Sequence, residues 1–84
     1  MHDDITELVR AGASHTSPLV LARTLRKKTQ RTLEREAGLP RQALTHYERG
    51  TRIPDPATRE RLAMALGVPA EVLFPNAAYF KGKR

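Results

Sequence analysis

A short polar stretch near the middle of the chain carries the side chains with the clearest chemistry. Arg41, Gln42, Thr45, His46 and Arg49 follow one another at intervals typical of one helix surface, and they are hydrogen-bonding or cationic residues. Arg and Gln can form paired hydrogen bonds with the edges of guanine and adenine in a major groove. The stretch therefore predicts contacts to DNA bases, although an ordinary solvent-exposed helix face has a similar composition.

The charge distribution supports a polyanionic partner. The chain has 84 residues, a formal net charge of +6 and a pI of about 10.5. The first 17 residues are acidic overall, whereas the segment 23–35 is strongly basic. The cations of that segment are Arg23, Arg26, Lys27, Lys28, Arg31 and Arg35. Such a segment is typical of nucleic-acid binding, and the alternative is a basic surface that only increases solubility.

Other classes of function lack the residues they would need. There is no Cys, and His2, His15 and His46 do not have the spacing of a metal site. No Ser–His–Asp arrangement or phosphate-binding Gly loop is present, so we expect no catalytic residue, no metal ligand and no cofactor. No apolar run approaches the roughly 18–20 residues of a membrane span, and no secretory signal follows Met1. A cytoplasmic protein without a membrane partner is expected.

The elements that must position the polar stretch are predicted to be short helices. Gly and Pro residues separate segments with helical apolar spacing, and no segment shows the alternation of a strand. Helices are predicted over about 5–11, 18–27, 30–37, 41–49, 56–66 and 70–74. Three units follow: an N-terminal extension with a short helix (1–17), a helical domain (18–75) and a basic C-terminal tail (76–84). The fold class is all-α.

Four clusters of residues, in order and at characteristic spacings, carry a family resemblance. They are Thr29-Gln30 with Leu33, Gly38-Leu39 with Leu44, Tyr47-Glu48-Arg49-Gly50 followed by Arg52-Ile53-Pro54, and Ala65-Leu66-Gly67-Val68. Over residues 19–74 the chain resembles the helix-turn-helix of lambdoid phage repressors and Cro, the Xre-like family. The resemblance implies a five-helix, lambda-repressor-like DNA-binding domain, here with an extra N-terminal helix. The chain departs from the family pattern at Lys27 and Lys28 (usually Gly and an apolar residue), at Glu34 (usually Ala) and at Pro40 (often Ser or Thr).

The resemblance also implies roles for single residues. A recognition helix at about 40–48 would lie in the major groove of double-stranded DNA. Base contacts are expected from Arg41, Gln42, Thr45 and His46. Phosphate contacts are expected from Gln30, Arg31, Lys28, Arg49, Thr51 and Arg52, with Lys27 beside them. Glu48 is expected to turn inward and form an ion pair with Arg23, which keeps its charge away from phosphate.

A single recognition helix covers only about half a turn of groove, so we expect a homodimer on a palindromic operator. The apolar residues expected at the dimer interface are Val72, Leu73, Phe74, Tyr79 and Phe80. Two alternatives remain open: the tail folds over its own domain, or the Ile5, Leu8 and Val9 stripe forms the dimer surface or an extra helix over the core.

The leading functional prediction is a sequence-specific transcription regulator of the repressor or Cro type, associated with the nucleoid when bound to DNA. One alternative is an antitoxin or another protein-binding module, with a toxin or polymerase as partner and DNA binding secondary. Another is a domain that bridges other proteins on DNA or RNA.

Overall fold

The computed structural model of the chain describes residues 4–12 and 17–75. Its described part consists of helices and connecting turns, without strands, so the all-α prediction is confirmed. The helices are α1 (Asp4–Gly12), α2 (Pro18–Leu25), α3 (Gln30–Ala37), α4 (Ala43–Arg49), α5 (Pro56–Leu66) and α6 (Ala70–Leu73). None of the described helices is long and apolar enough to cross a membrane.

Three helices begin with a side-chain cap that is local in sequence. The Ser17 hydroxyl accepts from the Val20 N–H, the Thr29 hydroxyl from the Thr32 N–H, and the Asp55 carboxylate from the Thr58 N–H. Each cap satisfies one of the backbone donors that have no partner in the first turn of a helix. Local chemistry thus sets the starts of α2, α3 and α5.

The end of α2 differs from the prediction. The helix was expected to reach about Lys27 but ends at Leu25, because Lys27 adopts a left-handed conformation with φ 60°. This is the position at which the family pattern has Gly, the residue that adopts positive φ without steric cost. The chain therefore keeps the left-handed turn between α2 and α3 without the glycine.

An aliphatic core joins the helices. Its largest fully buried side chains are Leu19, Leu33, Leu44, Leu62, Leu66, Leu73, Val9 and Val68. α5 packs against α3 and α6, and α6 also packs against α1 and α2. The first turn of α4 reaches this core through Ala43 and Leu44, and Leu44 is completely buried.

The core also contains two residues that were predicted to form a dimer interface. Val72 and Leu73 are 5% and 2% exposed, because α6 packs against three other helices and turns these side chains inward. They are core residues of the monomer, which corrects that part of the prediction. Phe74 is half-buried beside them, whereas Tyr79 and Phe80 lie outside the described residues.

α1 covers the core from the side of α2 and α6. Val9 is completely buried, and Ile5 packs against the core cluster, whereas Leu8 is about half exposed. Of the two roles left open for this stripe, the structure shows an extra helix packed on the core.

Candidate nucleic-acid interface

α3 and α4 form a helix-turn-helix. Gly38 ends α3 in a left-handed conformation, φ 69°, and the Leu39 N–H donates to the Glu34 carbonyl at 2.8 Å. A left-handed glycine after a helix allows the last carbonyls to be satisfied while the chain reverses. Leu33, Ala37 and Leu44 are buried between the two helices and the rest of the core. α4 is thereby held against α3, with its side chains away from the core half-buried and Arg49 exposed at its end.

The start of α4 differs from the predicted recognition helix. The helix was expected from about residue 40, with Arg41 and Gln42 in its first turn, but it begins at Ala43. Gln42 has φ 71°, which is incompatible with right-handed helix, and the Ala43 N–H donates to the Pro40 carbonyl at 3.2 Å. Arg41 and Gln42 are exposed in the turn that precedes α4. They are presented by this turn and not by the helix itself.

The carboxylate of Glu34 satisfies the first turn of α4 from α3. Glu34 Oε2 accepts from the Leu44 N–H at 3.0 Å, and Glu34 is only 2% exposed. The Arg31 guanidinium lies 3.6 Å from the other carboxylate oxygen. The helix dipole and Arg31 both favour a negative charge at this place. The sequence showed Glu34 as a departure from the family pattern but gave no indication of this contact.

A polar network fixes the other half of α4. Arg23 donates to both carboxylate oxygens of Glu48, at 2.7 and 3.2 Å, and also to the Lys28 carbonyl at 2.9 Å. Gln30 donates to Glu48 at 2.8 Å, and Thr45 donates to the Gln30 side-chain oxygen at 3.2 Å. The network connects α2, α3 and α4. The structure therefore brings together Arg23 and Glu48, the pair expected from the resemblance.

This network uses hydrogen-bonding groups that were expected to contact DNA. Gln30 has both ends of its amide engaged, and Thr45 is half-buried with its hydroxyl donated inward. His46 is also half-buried, and its Nδ1 lies 3.1 Å from the Thr51 hydroxyl. Arg41 and Gln42 are thus the two most accessible of the four predicted base-contacting residues.

The cations divide into two groups. Arg26 donates to the Leu66 carbonyl at 2.6 Å, Arg61 to the Ala37 carbonyl at 3.0 Å, and Arg59 to the Pro54 carbonyl at 2.7 Å. Lys28 binds Glu36 at 2.5 Å and the Ala65 carbonyl at 2.9 Å. The ammonium of Lys28 is therefore hydrogen-bonded within the domain, because a carbonyl at the end of α5 lies beside it. This arrangement differs from the phosphate contact expected for Lys28.

The second group has no hydrogen bond or ion pair of its side chain within the described residues. It comprises Lys27, Arg35, Arg41, Arg49 and Arg52, and all five are exposed. Arg41 lies before α4, while Arg49 and Arg52 lie at and just beyond its end. The helix axis between them spans about 10 Å at 1.5 Å per residue. Exposed cations thus lie at both ends of α4.

Between positions 38 and 54, all within the part of the chain that the structure describes, no acidic side chain is exposed. Glu48 is the only acidic residue between positions 38 and 54, and its side chain is 8% exposed and paired with Arg23. Glu34 is buried under the start of α4. A surface with hydrogen-bond donors, cations and no exposed carboxylate is suited to the phosphates and base edges of DNA. Among the described residues, no group of His, Asp and Glu could hold a metal ion.

The fold and this surface define a helix-turn-helix DNA-binding domain. A family model described as "Helix-turn-helix" matches residues 19–73, which is well over half of the chain. The chain belongs to this Xre-like family of DNA-binding regulators, as the sequence motifs indicated. No curated protein and no solved structure matches the chain.

Proposed function

We propose that the chain is a sequence-specific transcription regulator that binds a palindromic operator as a homodimer. α4 and the turn before it enter the major groove, Arg41 and Gln42 contact base edges, and Arg49, Thr51 and Arg52 contact phosphates. The observation that supports this most directly is the set of exposed cations at both ends of α4, with both neighbouring acids buried and paired. A DNA target also supports the cytoplasmic, nucleoid-associated location expected from the sequence.

Selection of binding sites from randomised duplex DNA tests sequence specificity. We expect a palindrome with half-sites separated by about 10–11 bp or a multiple of that spacing. The affinity for the selected duplex should fall with salt, with a slope of log K against log salt of about −4 to −8, because each neutralised phosphate contributes about −0.9. A salt-independent affinity, or no selected sequence, would contradict the proposal.

Three alanine variants separate the proposed roles. Gln42→Ala should relax base preference at one position per half-site, whereas Arg49→Ala should weaken binding to all sequences and reduce the magnitude of the salt slope. Arg10→Ala is a control of equal charge change, since Arg10 lies on α1 and pairs loosely with Glu7 at 3.9 Å. If Gln42→Ala weakened all sequences equally, Gln42 would be a backbone contact.

The dimer part of the proposal is supported by an apolar pocket of about 320 Å³ near the end of α6. Leu19, Tyr47, Ile53, Pro54 and Phe74 contribute to its lining, and Ile53 is about half exposed. Pro75 also lines this pocket, and Tyr79 and Phe80 follow it in the sequence. Deleting residues 76–84 should shift the protein towards monomer in analytical ultracentrifugation. A deletion variant that stays dimeric would redirect attention to the exposed Leu8 of α1.

The same pocket favours the second candidate function, a protein-binding module such as an antitoxin. A partner protein could insert an apolar residue beside Ile53 and Phe74, and DNA binding would then be secondary. A wild-type protein that is monomeric and elutes from a random-DNA column at low salt would favour this alternative.

A further inference from the structure

The N-terminus of α4 has no cap from its own segment. Gln42 stands at the cap position, but its side chain makes no capping hydrogen bond and its backbone is left-handed. Pro40 replaces the Ser or Thr that the family pattern often has near this helix start. The Leu44 N–H belongs to a completely buried residue, so leaving it without an acceptor would be costly.

Glu34 supplies the missing acceptor across the turn. Its carboxylate is buried, it accepts the Leu44 N–H at 3.0 Å, and its own backbone carbonyl accepts the Leu39 N–H at 2.8 Å. Glu34 is thus bonded to the turn at two points, one before Arg41 and Gln42 and one after them. Both bonds define the length of the turn and the residue at which the helix begins.

We propose that Glu34 is a positioning residue for DNA readout, an inference that rests on the proposed function. By accepting the Leu44 N–H it holds the start of α4 at Ala43, and so keeps Arg41 and Gln42 in the non-helical turn that presents them to the groove. Without this acceptor, extending α4 towards its N-terminus would provide new hydrogen bonds. It would also release Gln42 from its left-handed conformation, which is unfavourable for a residue with a side chain.

The consequence for binding follows from geometry. A change from turn to helix rotates the backbone at both positions, so the side chains of Arg41 and Gln42 leave the places from which they contact bases. Arg49 and Arg52, at the far end of α4, would keep their phosphate contacts. Removal of the Glu34 acceptor should therefore reduce discrimination between DNA sequences more than total affinity for DNA.

The test compares two substitutions at one position. Glu34→Met keeps a long side chain and has no oxygen acceptor, whereas Glu34→Gln keeps an oxygen acceptor, and both remove the charge. Glu60→Met is the control for the charge change, since Glu60 is an exposed residue of α5. Each full-length variant is measured for its affinity for the duplex selected by the wild-type protein and for a scrambled duplex. Amide hydrogen exchange without DNA reports on the Leu44 N–H.

We expect Glu34→Met to lose at least tenfold in the ratio of the two affinities. Its affinity for scrambled DNA should match that of Glu60→Met within about twofold, because both changes add the same net charge. The Leu44 amide should exchange faster in Glu34→Met, relative to core amides such as that of Leu62. In Glu34→Gln, the affinity ratio and the Leu44 exchange rate should both stay near wild type. If Glu34→Met does not fold, Glu34→Asp is tested in its place. The Asp carboxylate is one methylene too short to accept from the Leu44 N–H.

Two results would overturn the inference. In one, Glu34→Met keeps its discrimination between the selected and scrambled duplexes and keeps the slow amide exchange of Leu44. In the other, Glu34→Gln loses as much discrimination as Glu34→Met. These results are distinct from failure of the proposed function, in which the wild-type protein itself selects no sequence. Faster Leu44 exchange in Glu34→Met would even then identify Glu34 as the residue that sets the helix start.

Discussion

The starts of α5 and α4 satisfy the same kind of backbone donor with different parts of the chain. At α5, Asp55 accepts the N–H of Thr58, three residues further on, at 2.8 Å. At α4, the acceptor for Leu44 is Glu34, ten residues earlier and on another helix, at 3.0 Å. Asp55 is exposed, whereas Glu34 is buried.

This difference has a consequence for the surface that we propose to face DNA. A local cap occupies a position in the helix start with a short polar side chain, as Asp55 does in α5. A cap provided by α3 leaves positions 41 and 42 available for Arg and Gln, which have the length and the donors for base contacts. The start of α4, where we propose base contacts, is stabilised by tertiary structure, and the start of α5 is stabilised locally.

The largest effect is expected at the other end of α4, which also depends on a distant partner. Arg23→Ala or Glu48→Ala should each reduce the free energy of unfolding by about 3–5 kcal/mol, because the remaining member of the pair is left largely buried without its partner. Urea unfolding measures the loss. Arg10→Ala, which removes an exposed and loosely paired Arg, is the control and should change stability by less than about 1 kcal/mol. A melting temperature lowered by only a degree or two in Glu48→Ala would contradict a structural role for the pair.

The next largest loss of stability is expected at the starts of α4 and α5. Glu34→Ala should reduce the free energy of unfolding by about 1–3 kcal/mol, since it leaves the buried Leu44 N–H without an acceptor. Asp55→Ala should cost less, because the Asp55 contact is only partly buried and water can replace the exposed carboxylate as acceptor. Chemical denaturation of the two variants in parallel measures the difference. Equal losses would show that burial does not distinguish the two caps.

A stabilising substitution is expected in the turn between α2 and α3. Lys27→Gly should increase the free energy of unfolding by about 0.5–1 kcal/mol, because Lys27 has φ 60° and Gly adopts this conformation without steric cost. Lys27→Ala is the matched control, since it removes the same charge but keeps the Cβ atom. A lower melting temperature for Lys27→Gly than for Lys27→Ala would contradict the assignment of strain to this residue.

The smallest effect is a pH dependence at the start of α5. Hydrogen bonds from the Thr58 side chain and backbone, aided by the charges of Arg61 and Arg59, lower the pKa of Asp55 below its ordinary value of 3.8. A carboxyl with a lowered pKa in the folded state contributes stability above its unfolded pKa, and this contribution disappears as the pH falls through the folded pKa. Asp55→Asn keeps a capping oxygen without the charge. The difference in melting temperature between wild type and Asp55→Asn should be constant above about pH 5 and should decrease at lower pH. If the difference in melting temperature did not change between pH 6 and pH 2, this contribution of the Asp55 charge would be contradicted.

Much of the fold could be predicted because its signals are local. Ser17-Pro18, Thr29 and Asp55-Pro56 mark helix starts by side chains that act three residues away, and Gly38 marks a helix end. The apolar spacing indicated which faces are buried, and Leu33 and Leu44 are both in the core. The Arg23–Glu48 contact was expected from the resemblance alone, since residues 25 positions apart have no local signal of proximity.

The positions of the cations were less predictable. Lys28 and Arg31 belong to the same basic segment, but Lys28 binds Glu36 and a carbonyl of α5, whereas Arg31 lies beside Glu34. Composition reports only the sum of charges. It does not report which cations are used inside the domain, because that depends on which helix ends pack near them.

The amino-acid sequence alone was sufficient for the presence and order of the helices, the local caps of α2, α3 and α5, and the family, since these depend on neighbours within a few residues or on motifs at set spacing. Three features required the packed structure: the acceptor for Leu44, the left-handed Gln42 that makes α4 shorter than predicted, and the burial of Val72 and Leu73. Each depends on residues that come together only when α3, α4 and α6 pack. A hydrogen bond between segments, or the turning of a side chain into the core, is set by the relative placement of helices, and local sequence carries no direct record of it.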